Sequence, residues 1–257
     1  VEDPDRPETR VLDVIPYCGT PPLPGELLAR FNLDPVLITV LMLLGGLHVG
    51  HVRRGPLAAP VIAGWIVAAL ALISPLCALS VALFSARIAQ HMILMLIAAP
   101  LIALGLPPRA QKRGTRLLWL AACAFLILLW MWHMPLPYTA TFYSTAVYWS
   151  MHVTLFGSAL MLWREILHPT DAHAFEALAL GALSSMQMGM LGAILTLATH
   201  PMFFPHLTTT QAWGFAPLQD QQLGGVLMWV PGIVLFLWAA QRSLRRLWSH
   251  LERTRPA

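Results

Sequence analysis

The chain has 257 residues, of which 57% are hydrophobic and 11% charged, with a mean hydropathy of +0.65. A soluble globular domain carries about 25% charged residues, so disorder, nucleic-acid binding and a secreted disulfide scaffold are poor readings. The net charge of +4 would suggest an anionic partner in a soluble protein, but in a membrane protein basic residues mark the cytoplasmic side.

Residues 1–35 read as an acidic, Pro/Gly-rich tail holding seven of the twelve Asp and Glu. Its composition favours extended chain and turns, and it is expected to be a solvated surface segment. Seven stretches then approach the roughly 20 apolar residues that a crossing helix needs: 36–52, 59–82, 88–106, 117–132, 144–162, 175–199 and 223–240. A Ser74-Pro75 kink falls in the second. The Pro135 and Pro137 pair breaks a long uncharged run into a helical hairpin of the fourth and fifth, because proline removes a donor and ends helices. Residues 242–257 read as a basic cytoplasmic tail, with Arg242, Arg245, Arg246 and Trp248 placed to touch anionic headgroups.

Orientation follows from the sixteen Lys and Arg. Arg6, Arg10, Arg30 and Arg87 fall on one side. The other twelve fall opposite, in the loops at 53–54, 109–116 and 164 and in the C-terminal tail. Short basic loops stay cytoplasmic. The expected fold is therefore an all-α polytopic membrane protein, a seven-helix transmembrane bundle at 36–241 with the N-terminus outside and the C-terminus in the cytoplasm.

This topology divides the ten histidines into two groups. His48, His51, His168, His173 and His250 lie at the cytoplasmic ends, where headgroup contact explains them. His91, His133, His152, His200 and His206 lie in the outer third of the membrane or just above it, and the first four come from four different spans. An ionisable ring at membrane depth is costly without a partner, and imidazole is a common ligand for copper, iron, zinc and nickel. Separate rings bonded to backbone carbonyls are the plainer alternative. Met92 and Met95 share a helix with His91, and Met228 follows Gly224 and Gly225 at a comparable depth. Met186, Met188 and Met190 lie mid-membrane on the sixth span. Thioether with imidazole favours Cu(I), although methionine is also ordinary apolar filling.

Asp220 either caps a helix N-terminus or accepts the free ring N–H of a ligating histidine, and Arg87 could pair with it. The three cysteines lack CxxC spacing and are odd in number, so no disulfide framework or zinc ribbon is indicated. Cys18 and Cys77 could still meet in space, and Cys77 is a candidate thiolate ligand. Nothing resembles a Ser-His-Asp triad, a phosphate-cradling loop or HExxH, so an enzyme is not expected.

The run Gln90-His91-Met92 through Arg109, the segment Trp132-His133-Met134-Pro135 with Tyr138, the His152 segment with Trp163, and Asp220-Gln221-Gln222-Leu223-Gly224-Gly225 through Met228-Trp229 resemble the multi-spanning CtaG family of cytochrome c oxidase assembly proteins. Before His91, where many members carry another His-Met pair, this chain has Ala86-Arg87. The resemblance implies a bacterial inner-membrane factor that supports copper delivery to the haem-copper centre. Its partners would be oxidase subunit I or another assembly protein, with membrane lipids around it. On this reading Cu(I) is held transiently by His91, His133 and His152, with His200 or Met228 completing the site and Asp220 behind them. Two other readings are a haem held by two of these histidines in an electron-transfer protein and a metal-free assembly scaffold.

Overall fold

A computed structural model describes residues 15–52, 55–107, 116–168 and 174–254. His173 and the basic residues Arg6, Arg10, Arg53, Arg54, Arg109, Lys112, Arg113 and Arg255 lie outside the described residues, as do the acids before Ile15. The side chains of Arg246, His250 and Arg253 are likewise outside the description.

Every long element among the described residues is an α-helix: α1 (Pro35–Val52), α2 (Ala58–Ile73), α3 (Leu76–Ala82), α4 (Phe84–Met92), α5 (Ala99–Ala103), α6 (Arg116–Trp132), α7 (Pro135–Tyr143), α8 (Thr145–Leu167), α9 (Ala174–Leu197) and α10 (Pro217–Thr254). Helix is the economical answer for an apolar chain in lipid, because it satisfies each backbone group within its own segment. Among the described residues four spans are long and apolar enough to cross a membrane: Pro35–Val52, Phe84–Ala103, Phe175–Leu197 and Pro217–Arg242. Counting the bent pairs α2 with α3 and α6 with α7 as one span each brings the number to six.

The expected seven-span count is thus supported only as four to six candidate spans. The stretch at 144–162 does form a helix, α8, but Tyr148, Trp149, Ser150, His152 and Thr154 make its first half less apolar than the others.

The breaks follow from local chemistry. Ser74 adopts an extended conformation before Pro75, and α3 leaves α2 at 46°. Pro135 starts α7, where its missing N–H costs nothing, and α7 leaves α6 at 73°. The expected simple hairpin therefore contains a short helix of its own. Between α4 and α5 the chain winds as a π-helix at Ile93–Ala98, and the Trp163 indole donates to the Met95 carbonyl within it at 2.8 Å.

Burial identifies the centre of the bundle. The Phe84–Ala103 span is 72% buried, whereas α1 is 11% buried and rides on the rim. A large core joins α4, α6, α8, α9 and α10. Glycines set the closest approaches: a Cβ at Gly192 would meet the Gly225 carbonyl at 2.9 Å, and one at Gly224 would meet the Phe84 ring at 2.6 Å. Small residues of this kind let helix backbones pack tightly in membranes.

Both ends carry structure that composition alone does not show. From Ile15 onward the N-terminal segment is largely exposed, as expected of a surface segment, yet it is tied to the bundle at specific points. Cys18 is disulfide-bonded to Cys77, the Asn32 amide N–H donates to the Ile73 carbonyl at 2.8 Å, and the Trp213 indole donates to the Pro22 carbonyl at 3.2 Å. At the other end, α10 passes through Pro231 and runs beyond the expected crossing at 223–240 to Thr254.

Candidate metal centre

His91, His133 and His152 converge. His91 occupies the last turn of α4, His133 follows the end of α6, and His152 lies two turns into α8. All three are buried. The His91 ring centre lies 5.5 Å from that of His133 and 5.3 Å from that of His152, each pair edge to face. Two imidazoles bound to one ion through bonds of about 2 Å place their ring centres about 5–6 Å apart, so the spacing suits a shared ion.

The hydrogen bonds fix which nitrogens are available. His133 Nδ1 lies 2.7 Å from the Leu129 carbonyl, and His152 Nδ1 lies 3.0 Å from the Tyr148 carbonyl. A carbonyl can only accept, so Nδ1 carries the proton in both rings and Nε2 of each neutral ring keeps its lone pair. Both Nε2 atoms are buried without a partner, as are both nitrogens of His91. An unpaired buried polar atom costs about 1–3 kcal/mol, and here four such atoms sit on three neighbouring rings. Anchoring one ring nitrogen to leave the other for a metal is the usual outer-shell device of histidine sites. The described residues nonetheless contain no group of three or more His, Cys, Asp or Glu side chains already set at metal-holding geometry, so an ion held here would require the unanchored His91 ring to turn.

The surroundings restrict what fits. Beside His91 and His152 runs a cleft lined by Leu94, Met95, Leu155 and Phe156, too tight for a water-sized sphere. A bare ion suits that space. A haem would need a pocket of at least about 300 Å³, so the haem reading fits the residues poorly. Met95 belongs to the same lining.

The remaining candidates stand apart from this cluster. His200 is exposed, and its Nδ1 meets the Thr199 hydroxyl at 3.3 Å. Met228 is fully buried in the main core, one helical turn beyond Gly224. Asp220 is fully buried but touches no histidine. It accepts from the backbone N–H of Phe84 at 2.6 Å and of Ser85 at 3.2 Å, and from the Ser85 hydroxyl. It therefore caps α4, the helix that carries His91, from a neighbouring helix. The expected Arg87–Asp220 pair is not formed. Arg87 donates to the Ser80 carbonyl at 3.3 Å and the Thr141 hydroxyl at 3.0 Å, with its guanidinium over the rings of Phe142, Tyr138 and Tyr148. Cys77 is no free thiolate, because its sulfur is bonded to that of Cys18. Met186 and Met190 are exposed on the outside of α9, while Met188 is buried against Gly232.

Tyr148 escaped the sequence reading. Its ring lies 4.2 Å from that of His152, and its hydroxyl lies 3.3 Å from Cys18 Sγ and 3.8 Å from Cys77 Sγ. Its position one turn before His152 was a readable signal.

Over this whole framework, residues 50–249 match the family described as cytochrome c oxidase caa3 assembly factor (Caa3_CtaG). The chain belongs to that family. The match spans α2 through most of α10 and so includes every residue of the three-histidine cluster. Among curated proteins and solved structures, none matches the chain. Members of the Caa3_CtaG family are cytochrome c oxidase assembly factors, and this member is a membrane protein that is helical throughout its regular elements among the described residues.

Proposed function

We propose that this assembly factor holds one Cu(I) on His91, His133 and His152 and hands it on for the haem-copper centre of a caa3-type oxidase. The observation that carries the reading is the set of buried, unpartnered ring nitrogens on three converging helices. The copper is cargo, so the site should bind it without enclosing it for good. Three neutral imidazoles with a nearby thioether match Cu(I) in softness. Charge favours the monovalent ion as well. The cluster contains no carboxylate, Arg87 sits one turn before His91, and desolvation disfavours a divalent ion far more strongly than a monovalent one.

The topology that goes with this reading has seven spans, including α8, in a bacterial cell membrane with the N-terminus outside. The lopsided distribution of basic residues supports that orientation. So does the Cys18–Cys77 disulfide, a bond that persists in oxidising compartments. The cluster then lies just beneath the outer face, within reach of an oxidase subunit or a second assembly protein.

Metal analysis of the detergent-purified protein in ascorbate, which keeps copper as Cu(I) while leaving the Cys18–Cys77 bridge closed, tests the reading, beside the His91→Ala/His133→Ala/His152→Ala variant. One copper per chain is expected in the parent and none in the variant. Equal copper in both would remove the site. Normal oxidase copper content in cells carrying only the triple variant would favour the metal-free scaffold.

A further inference from the structure

The Cys18–Cys77 bridge lies one side chain away from the histidine cluster. Both sulfurs abut the Tyr148 hydroxyl, Tyr148 lies against His152, and His152 faces His91. Cys18 is half-buried on an irregular segment, while Cys77 is 1% exposed in α3.

The groups around the bridge suit anionic sulfur. The Asn32 side-chain amide donates to Cys77 Sγ at 3.6 Å, and the Tyr148 hydroxyl can donate to either sulfur. Arg87, 1% exposed, pairs with no carboxylate among the described residues and stands over the Tyr148 ring, its guanidinium carbon 5.6 Å from the ring centre. A buried cation with no counter-charge is expensive. A disulfide, being neutral, does not compensate it.

We propose that Cys18 and Cys77 form a thiol-operated copper-loading site, in which the reduced pair binds one Cu(I) as a bis-thiolate directly above His152 and His91. The proposal rests on the copper reading of the histidine cluster. Two thiolates with one Cu(I) carry a net charge of minus one, which the Arg87 guanidinium offsets. Thiolate is also the soft ligand that selects Cu(I).

Opening the site requires a reductant, and its class is a CxxC dithiol protein. The attacking thiolate of that protein bonds to the half-buried Cys18 sulfur, the Cys18–Cys77 bond breaks, and Cys77 leaves as a thiolate. The second thiol of the dithiol protein then loses its proton and displaces Cys18, so the partner departs with its own disulfide. Two electrons have passed to Cys18 and Cys77, along with the two protons of the partner's thiols. Cu(I) binding releases those protons to water. Exchange of thiolate for imidazole then moves the ion past Tyr148, and the two emptied thiolates take back protons from water.

Anaerobic Cu(I) titration of the purified protein against a chromogenic chelator, before and after reduction by a CxxC dithiol protein that is then removed, tests the proposal. Reduction is expected to add one equivalent of Cu(I). That equivalent should persist in the triple-histidine variant, vanish in Cys18→Ser/Cys77→Ser, and show sulfur neighbours by X-ray absorption in the unmutated protein. Unchanged stoichiometry, with both thiols shown free by alkylation, would overturn it. So would a bridge that the dithiol protein cannot reduce until the chain unfolds. The two readings fail separately. Copper in the oxidised protein that depends on the histidines, with none added on reduction, sinks the loading site alone. Copper only in the reduced protein, untouched by the triple substitution, sinks the histidine centre alone.

Discussion

His91 differs from the other two rings in having neither nitrogen anchored. His133 and His152 are each tied to a carbonyl one turn back on their own segment, so their orientation is set before any ion arrives. His91 is the ring free to turn, and it is the common neighbour of both. His91→Ala is therefore expected to abolish Cu(I) binding, whereas His200→Ala, altering an exposed ring, should leave affinity unchanged in the same chelator competition. The imidazoles were legible in the sequence because polar rings stand out in apolar spans. What could not be read was which of them meet, since that depends on how separate helices pack.

His206 offers a pH test at the same scale. It lies between α9 and α10, with its Nε2 2.6 Å from the Tyr138 hydroxyl. Burial, aided by the Arg87 charge, holds its pKa down to about 3. An unfolded histidine takes up its proton near pH 6.5, so between these values the unfolded chain binds more protons than the folded one. Stability from this group is complete above about pH 6.5 and is lost progressively as the pH falls toward 3. Thermal midpoints measured from pH 7 to pH 4 should drop less steeply in His206→Gln than in the parent.

Individual elements are held by contacts from their neighbours. The first turn of α4 begins at a leucine whose side chain cannot cap, and the missing acceptor comes from Asp220 on α10. The sequence allowed a capping role for Asp220, but the helix it caps lies more than a hundred residues away in the chain, a pairing that only the fold reveals. Asp220→Asn should cost about 2 kcal/mol, the worth of charge-assisted hydrogen bonds at a helix N-terminus, and lower the thermal midpoint. Copper stoichiometry of the folded fraction should be retained, because the residue positions α4 and touches no ligand.

The α9–α10 pair tests packing. A Cβ at Gly225 would strike the Gly192 carbonyl at 2.7 Å and the Thr196 amide nitrogen at 2.7 Å. Both obstacles are backbone and cannot swing aside, so Gly225→Val should destabilise by about 3 kcal/mol or more, read as lost yield of folded protein in detergent. Ala at Gly181, where nothing lies within 4 Å, is the matched control and should be neutral.

At the scale of the whole molecule, hydropathy located the helices well because lipid demands long apolar segments. It was less informative where proline and π-helical winding divide a span. The stretch at 88–106 becomes α4, a π-helical turn and α5, yet still traverses the core as one rod. Composition predicts an exposed N-terminal tail, and from Ile15 onward it is largely exposed, but the few contacts that tie it down, such as the Tyr17 hydroxyl donating to Asp34 at 2.5 Å, depend on the fold. Orientation is open to direct measurement. A reporter enzyme that folds only in the cytoplasm, fused after Ala257, should be active, whereas one that requires export should be silent. The reverse result would invert the topology and place the histidine cluster near the inner face.

The unbroken length of α10 has a mechanical result. Thirty-eight residues at about 1.5 Å each make a shaft of about 57 Å, nearly twice the roughly 30 Å depth of hydrocarbon. Its last dozen residues, from 243 to 254, extend past the apolar span that ends at Arg242 as a helical mast. Any protein that grasps the mast gains leverage on the very helix whose opposite end carries Asp220, and a tug there would reach the foot of α4.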